Sequence, residues 1–189
     1  MNKSEEIVSK LGLEVNIHAE EIPDIDLYMD QVIQLFDSKF SQTLRNTDEK
    51  VLTKTMINNY AKGKLFIPIK NKKYSKQHIM LINLIYQLKG ALSINDIKTT
   101  MGPINEKIGN DDFSLENFYS YSIALQQGNA QNFLEEIKAH EQEIEQFDIN
   151  GDLKKLLFIT SLANMSNAYR KAAELLVDEL IVNKKEENK

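Results

Sequence analysis

The chain contains no cysteine. Disulfides, thiolate zinc sites and thiol nucleophiles are excluded together, which fits a reducing, cytoplasmic setting. Only seven glycines and three prolines occur in 189 residues, so long helices form readily and an all-β fold is disfavoured. No run of about 18 apolar residues exists, so no membrane span is expected. The opening MNKSEEIVSKLGLEVNIHAE lacks the apolar core of a secretory leader, and none is expected. A Walker lysine motif and a GxGxxG are both missing. The three histidines, His18, His78 and His140, stand far apart without metal-ligand spacing. His78, inside an apolar segment, reads as a packed histidine. The pairs Asp111-Asp112 and Glu135-Glu136, with Glu141, Glu143 and Glu145, read as a helix cap and a solvated face rather than as acid–base machinery. No catalysis, cofactor or metal is expected.

What the chain does contain is an uneven distribution of charge. The net charge is −5. Between Lys50 and Lys98, however, ten lysines face one acid, Asp96, a local charge of +9 that leaves −14 for the remainder. A polyanion-binding module in acidic surroundings has this form. So has a basic face that pairs with the acidic half of its own chain.

The basic segment is centred on residues 52–74, LTKTMINNYAKGKLFIPIKNKKY. Met56, Ile57 and Tyr60 fall on one helix face, which leaves Thr53, Lys54, Thr55, Asn58 and Asn59 to point outward or along the rim. Thr53 is placed to cap this helix and Gly63 to end it. Pro68 and Asn71 are turn formers in the basic stretch that follows. A recognition helix followed by a small β-wing has this pattern.

The flanking segments read as helices. Residues 1–21 form an arm with one short amphipathic stretch. Pro23 breaks it, and Asp24 or Asp26 is placed to cap a helix carrying Tyr28, Met29, Val32, Leu35, Phe36 and Phe40, reaching about Leu44. After Tyr74, Ser75 caps a helix that is apolar on several faces and is therefore central. Gly90 ends it. Ser93 and Asp96 have capping-box spacing at the next helix. Met101-Gly102-Pro103 is read as the main boundary. Beyond it, one helix runs from Leu115 to about Gln127, Gly128-Asn129 forms a turn, an acidic helix carries Phe133, Ile137, His140, Ile144 and Phe147, and a last helix covers residues 153–182. The expected fold is mainly α: an arm (1–21), a winged helix-turn-helix (22–101) and a helical dimerisation or regulatory region (102–189).

The words LYMDQV, LTKTMINNY, KKY and LSINDIK, within residues 22–101, closely resemble those that recur in a bacterial family called domain of unknown function 1836. More distantly, the succession Asn58-Asn59-Tyr60, Gly63-Lys64-Leu65, Pro68, Tyr74, a helix, Leu92-Ser93 and Ile97-Lys98 is similar to the MerR-type winged helix. That likeness implies a winged helix-turn-helix and DNA binding. It supplies neither operator nor effector. Asn59 stands where those regulators often place arginine or lysine, Lys72-Lys73-Tyr74 stands for their basic and aromatic wing end, and the loop to Leu52 is longer.

Residue chemistry agrees with the likeness. Asparagine pairs in bidentate fashion with adenine in the major groove, so Asn58 and Asn59 are the base-contact candidates; the alternative is that they cap or turn the chain. Lys54, Lys62, Lys64, Lys72 and Lys73 suit phosphates, or else are solvated charges. Thr53 and Thr55 can reach phosphates. The Tyr60 ring belongs to the core with its hydroxyl toward the backbone, and Tyr74 braces the wing. The expected function is a DNA-binding transcriptional regulator that grips double-stranded DNA, as a homodimer joined through the C-terminal helices; an intramolecular bundle is the alternative to the dimer. The rival function is a protein-interaction module whose basic face binds an acidic partner, and a third is recognition of structured RNA. The aromatic set Phe113, Phe118, Tyr119, Tyr121, Phe133 and Phe147 is either core or the lining of a small-molecule effector pocket, for which nothing else speaks.

Overall fold

The computed structural model describes residues 3–46 and 48–187. Seven helices and one two-stranded sheet are described: α1 (Lys3–Leu11), β1 (Leu27–Tyr28), α2 (Met29–Phe40), α3 (Lys54–Lys62), β2 (Lys73–Tyr74), α4 (Lys76–Leu88), α5 (Ile94–Lys107), α6 (Leu115–Glu145) and α7 (Gly151–Glu187), with 3-10 turns at Ala19–Glu21 and Ser41–Thr43. The protein is mainly helical, and no described helix is long and apolar enough to cross a membrane.

The fold is built around α4. Ile79, Met80, Leu81, Ile82 and Ile85 are all buried, together with His78 and Asn83. A helix apolar on several faces must be covered on several sides, and α5, α6 and β2 all pack on it. Each such isoleucine or leucine contributes roughly 1.5–3 kcal/mol by leaving water. The caps form as their sequences require. The Ser93 hydroxyl accepts from the Asp96 N–H at 3.2 Å while the Asp96 carboxylate accepts from the Ser93 N–H. At the head of α4 the Ser75 N–H donates to Nδ1 of His78, so the packed histidine also satisfies a helix end. At α2 the expected Asp24 or Asp26 cap is replaced. β1 intervenes, and the Tyr28 N–H donates to Gln31 at 2.8 Å.

Two expected breaks are absent. α5 runs through Met101-Gly102-Pro103. Ile97 and Met101 are buried and Ile104 half-buried on one face, and the Asn105 amide donates to the Leu65 carbonyl at 2.9 Å. This packing outweighs the hydrogen bond that Pro103 cannot make. α6 likewise passes through Gly128-Asn129. Its buried positions Ile123, Ala130, Ile137 and Ile144 recur every seven residues, so the packed stripe stays in register across the glycine.

The core is continuous along the chain. Leu115, Tyr119 and Ile123 of α6 and Val177 of α7 join the same buried set as Phe36, Ile57, Ile82 and Met101. Asn83 donates to the Tyr119 hydroxyl at 2.7 Å, and that hydroxyl donates to the Ile17 carbonyl. This buried relay ties the N-terminal segment, α4 and α6 together. The amphipathic stretch of the arm forms α1 and packs on α6. Glu5 meets Lys138 at 2.9 Å and the Ser4 hydroxyl donates to Glu141. At Gly12 the backbone is left-handed (φ 58°), and a Cβ there would meet Thr43 Cγ2 at 2.5 Å.

Candidate nucleic-acid interface

The candidate surface is built on α3. Thr53 adopts an extended backbone, and its hydroxyl accepts from the Met56 N–H at 3.1 Å. Ile57 and Tyr60 are buried, Met56 and Ala61 half-buried. The opposite face, Lys54, Thr55, Asn58, Asn59 and Lys62, is exposed. The helix therefore has one face fixed in the core and one face of amide, hydroxyl and ammonium groups in solvent.

Gly63 ends α3 as expected. Gly63 has φ −71°, and the left-handed residue is Lys64 (φ 56°). The Lys64 N–H donates to the Ala61 carbonyl and the Leu65 N–H to the Tyr60 carbonyl, the paired bonds of a Schellman cap. Space is tight at Gly63, where a Cβ would lie 2.6 Å from Leu65 Cδ1 and 3.1 Å from the Asn59 carbonyl oxygen, so a larger residue requires the Leu65 side chain to shift. Lys64, exposed, occupies the conformation that usually favours glycine, at a cost of about 1 kcal/mol.

The basic stretch after α3 forms a tight hairpin turn. Lys70 and Lys73 bridge, the Lys73 N–H donates to the Lys70 carbonyl at 2.9 Å, and Asn71 (φ 52°) and Lys72 (φ 58°) are both left-handed. This is the two-residue turn that suits twisted strands. No strand lies between Lys64 and Lys70. Pro68 has no N–H to extend a ladder, and β2 pairs instead with β1, Leu27 opposite Tyr74 and Tyr28 opposite Lys73.

That pairing brings the turn and the helix to one place. Lys54 at the start of α3 meets Asp30 at 2.7 Å, and Lys73 beside the turn lies over the Tyr28 ring, 5.3 Å from its centre. Tyr28 and Asp30 are two residues apart at the head of α2. The exposed face of α3 and the lysine-rich turn thus flank the same end of one helix.

The ten lysines are not equally available. Lys89 is half-buried, donating to the Val51 carbonyl at 2.9 Å and lying 4.1 Å from the Tyr86 ring centre, and burial holds its ammonium below the usual range. Lys76 is held by Glu116 (3.2 Å) and Asp24 (3.6 Å), which raise it. Among the described residues no ion pair holds Lys62, Lys64, Lys70 or Lys72, all exposed. Tyr60 and Tyr74 are buried, which raises both phenols. They support the surface from beneath, and the Tyr74 ring packs edge-on against Phe66 and His78. Asn71 forms the turn as its sequence predicts, and Lys70, not among the lysines chosen for phosphate, belongs to the tip with Lys72. Asp30, a competing carboxylate from the LYMDQV word, was invisible without the fold.

No curated protein and no solved structure matches the chain. A family model does, over residues 17–122, more than half the chain. That range extends on both sides beyond the words quoted above, and its two ends are joined by the hydrogen bond from Tyr119 to Ile17. It takes in the whole of α2 through α5 and the first part of α6. The chain belongs to the family described as Domain of unknown function (DUF1836).

Proposed function

We propose that the protein is a DNA-binding transcriptional regulator of bacterial, cytoplasmic type, built on a MerR-like winged helix-turn-helix. Residues 53–61 enter the major groove, with Asn58 and Asn59 at base edges and Lys62, Lys64, Lys70 and Lys72 at flanking phosphates. The observation that carries the reading is the placement of the exposed α3 face and the lysine turn at one end of α2. The succession strand, helix, helix, turn, strand, helix, helix from β1 to α5 agrees with the winged-helix likeness. The long loop between α2 and α3 departs from its compact form. The proposal includes a homodimer through α7, since paired modules on paired half-sites gain affinity. Leu175 and Leu176 are 65% and 62% exposed, the kind of surface that assembly covers.

The test is duplex binding against salt. Each phosphate contact removed lowers the salt slope by about one. Lys64→Ala and Lys72→Ala are expected to weaken all duplexes alike with that signature, and unchanged slopes would sink their assignment.

A second reading has one observation in its favour. The basic segment already takes carboxylate partners, Asp30 on Lys54 and Glu116 on Lys76, as an acidic protein partner would require. A pull-down that survives nuclease treatment, with no duplex binding, would favour it.

A further inference from the structure

A groove lies on the far side of the core, where α1, α6 and α7 meet the end of α4. It has two adjoining lobes of about 590 and 720 Å³, each within the range of small-molecule sites. The smaller is walled mainly by Ile7, Leu11, Phe133, Leu162, Met165 and Tyr169. The larger continues toward Phe40, Thr43 and Tyr86. Phe133, Leu11, Tyr169 and Glu136 line both lobes, so Glu136 sits where the two join. Of the aromatic set considered for a pocket, only Phe133 is here.

Glu136 is the unusual group on these walls. The Tyr169 hydroxyl donates to its carboxylate at 3.3 Å. No described cation pairs with it. Arg170, which also lines the smaller lobe, is held by Glu174 at 2.6 Å. Lys138, two residues along α6, is held by Glu5. His140 meets the Ser161 hydroxyl at 3.1 Å. A half-buried carboxylate on apolar walls, accepting one neutral hydrogen bond and lacking a counter-ion, is complementary to a ligand that is apolar in body and positive at one point.

We propose that this groove binds a lipophilic monocation, an organic amine or onium ion whose charge is met by Glu136 and whose body fills the lobe lined by Phe133, Leu162 and Met165. A neutral or anionic ligand of the same shape gains the apolar contacts but leaves the carboxylate unneutralised or repelled. The lobes reach the end of α4 at Gly90 and Ala91 and the α2 side at Phe40. Occupancy therefore bridges the C-terminal helices and the helices that carry the basic surface. Binding itself requires no DNA.

Tetraphenylphosphonium and tetraphenylborate have the same shape and opposite charge, and both can be titrated into the full-length protein by calorimetry in potassium-free buffer. The wild type is expected to prefer the cation by about tenfold or more, the size of a hydrogen-bonded charge contact. Glu136→Gln is expected to reduce that preference to about twofold, whereas Glu135→Gln, with the same change in net charge on an exposed neighbour, is expected to keep it. The proposal is overturned if the wild type binds neither ion or both equally, or if Glu136→Gln and Glu135→Gln behave alike. The wild-type comparison of the two ions decides even if a variant fails to fold.

Discussion

The two faces of α3 and the two faces of α7 make opposite use of the same helix geometry. On α3 the apolar residues Ile57 and Tyr60 are consumed by the core, and what remains outside is amide, hydroxyl and ammonium. Among the described residues of α7 the buried positions are few, Phe158 and Val177, while Leu153, Leu156, Ile159, Leu175 and Leu176 remain 48–65% exposed. A face with no apolar surplus is suited to a polar, hydrated partner. A face with such a surplus is suited to another protein surface, a second copy above all. The contrast underlies the proposal that nucleic acid meets the outer face of α3 and a second copy meets α7.

The largest effect expected is in the shared core. Ile82→Ala on α4, at full burial, is expected to cost about 2–5 kcal/mol in denaturant unfolding; a loss under 1 kcal/mol would mean that α4 is not central. Next is the buried relay. Tyr119→Phe strands the Asn83 amide and the Ile17 carbonyl, and is expected to cost about 1–3 kcal/mol in the same assay, with little effect on duplex affinity.

A pH effect follows from His78. Burial depresses its folded pKa below the ordinary 6.5, against smaller raising effects from the Pro68 and Ile67 backbone and from Asp26. The unfolded chain therefore binds more protons once the pH drops below about 6.5. Stability is lost from there downward, through the folded pKa. His78→Asn is expected to flatten this fall between pH 7 and 5, and equal slopes in the two proteins would contradict it.

Smaller effects sharpen the account of the helices. Gly128→Ala is expected to stabilise by about 0.5–1 kcal/mol, because the glycine lies within α6 and an added Cβ meets nothing within 4 Å. A destabilisation would restore the turn. Leu176→Ser should leave unfolding of the isolated chain within about 0.5 kcal/mol yet shift sedimentation toward the monomer. A change in stability without a change in assembly would place Leu176 in the fold rather than in an interface.

These cases also mark how much could be read in advance. The Thr53 and Ser93 caps, the burial of Ile57 and Tyr60 and the central place of α4 were legible, because each depends on residues within a few positions of one another. The misread positions were those where a distant partner overrules a local signal. Gly128 and Pro103 look like breaks until a buried stripe, continuous on one side and supported by Leu65 on the other, holds the helix through them. Pairing of β1 with β2 spans the whole of α2 and α3, and the groove around Glu136 draws on five helices. Of the candidate surface, the α3 residues could be chosen from the sequence, whereas their closeness to the lysine turn depended on Tyr28 and Asp30.

The most direct test of the central claim is selection from a random duplex pool with the wild type and with the double variant Asn58→Ala/Asn59→Ala. An account in which the outer face of α3 reads bases predicts one enriched motif that the double variant loses while keeping salt-sensitive binding to any duplex. A wild type that enriches no motif, and whose weak binding vanishes by physiological salt, would contradict it.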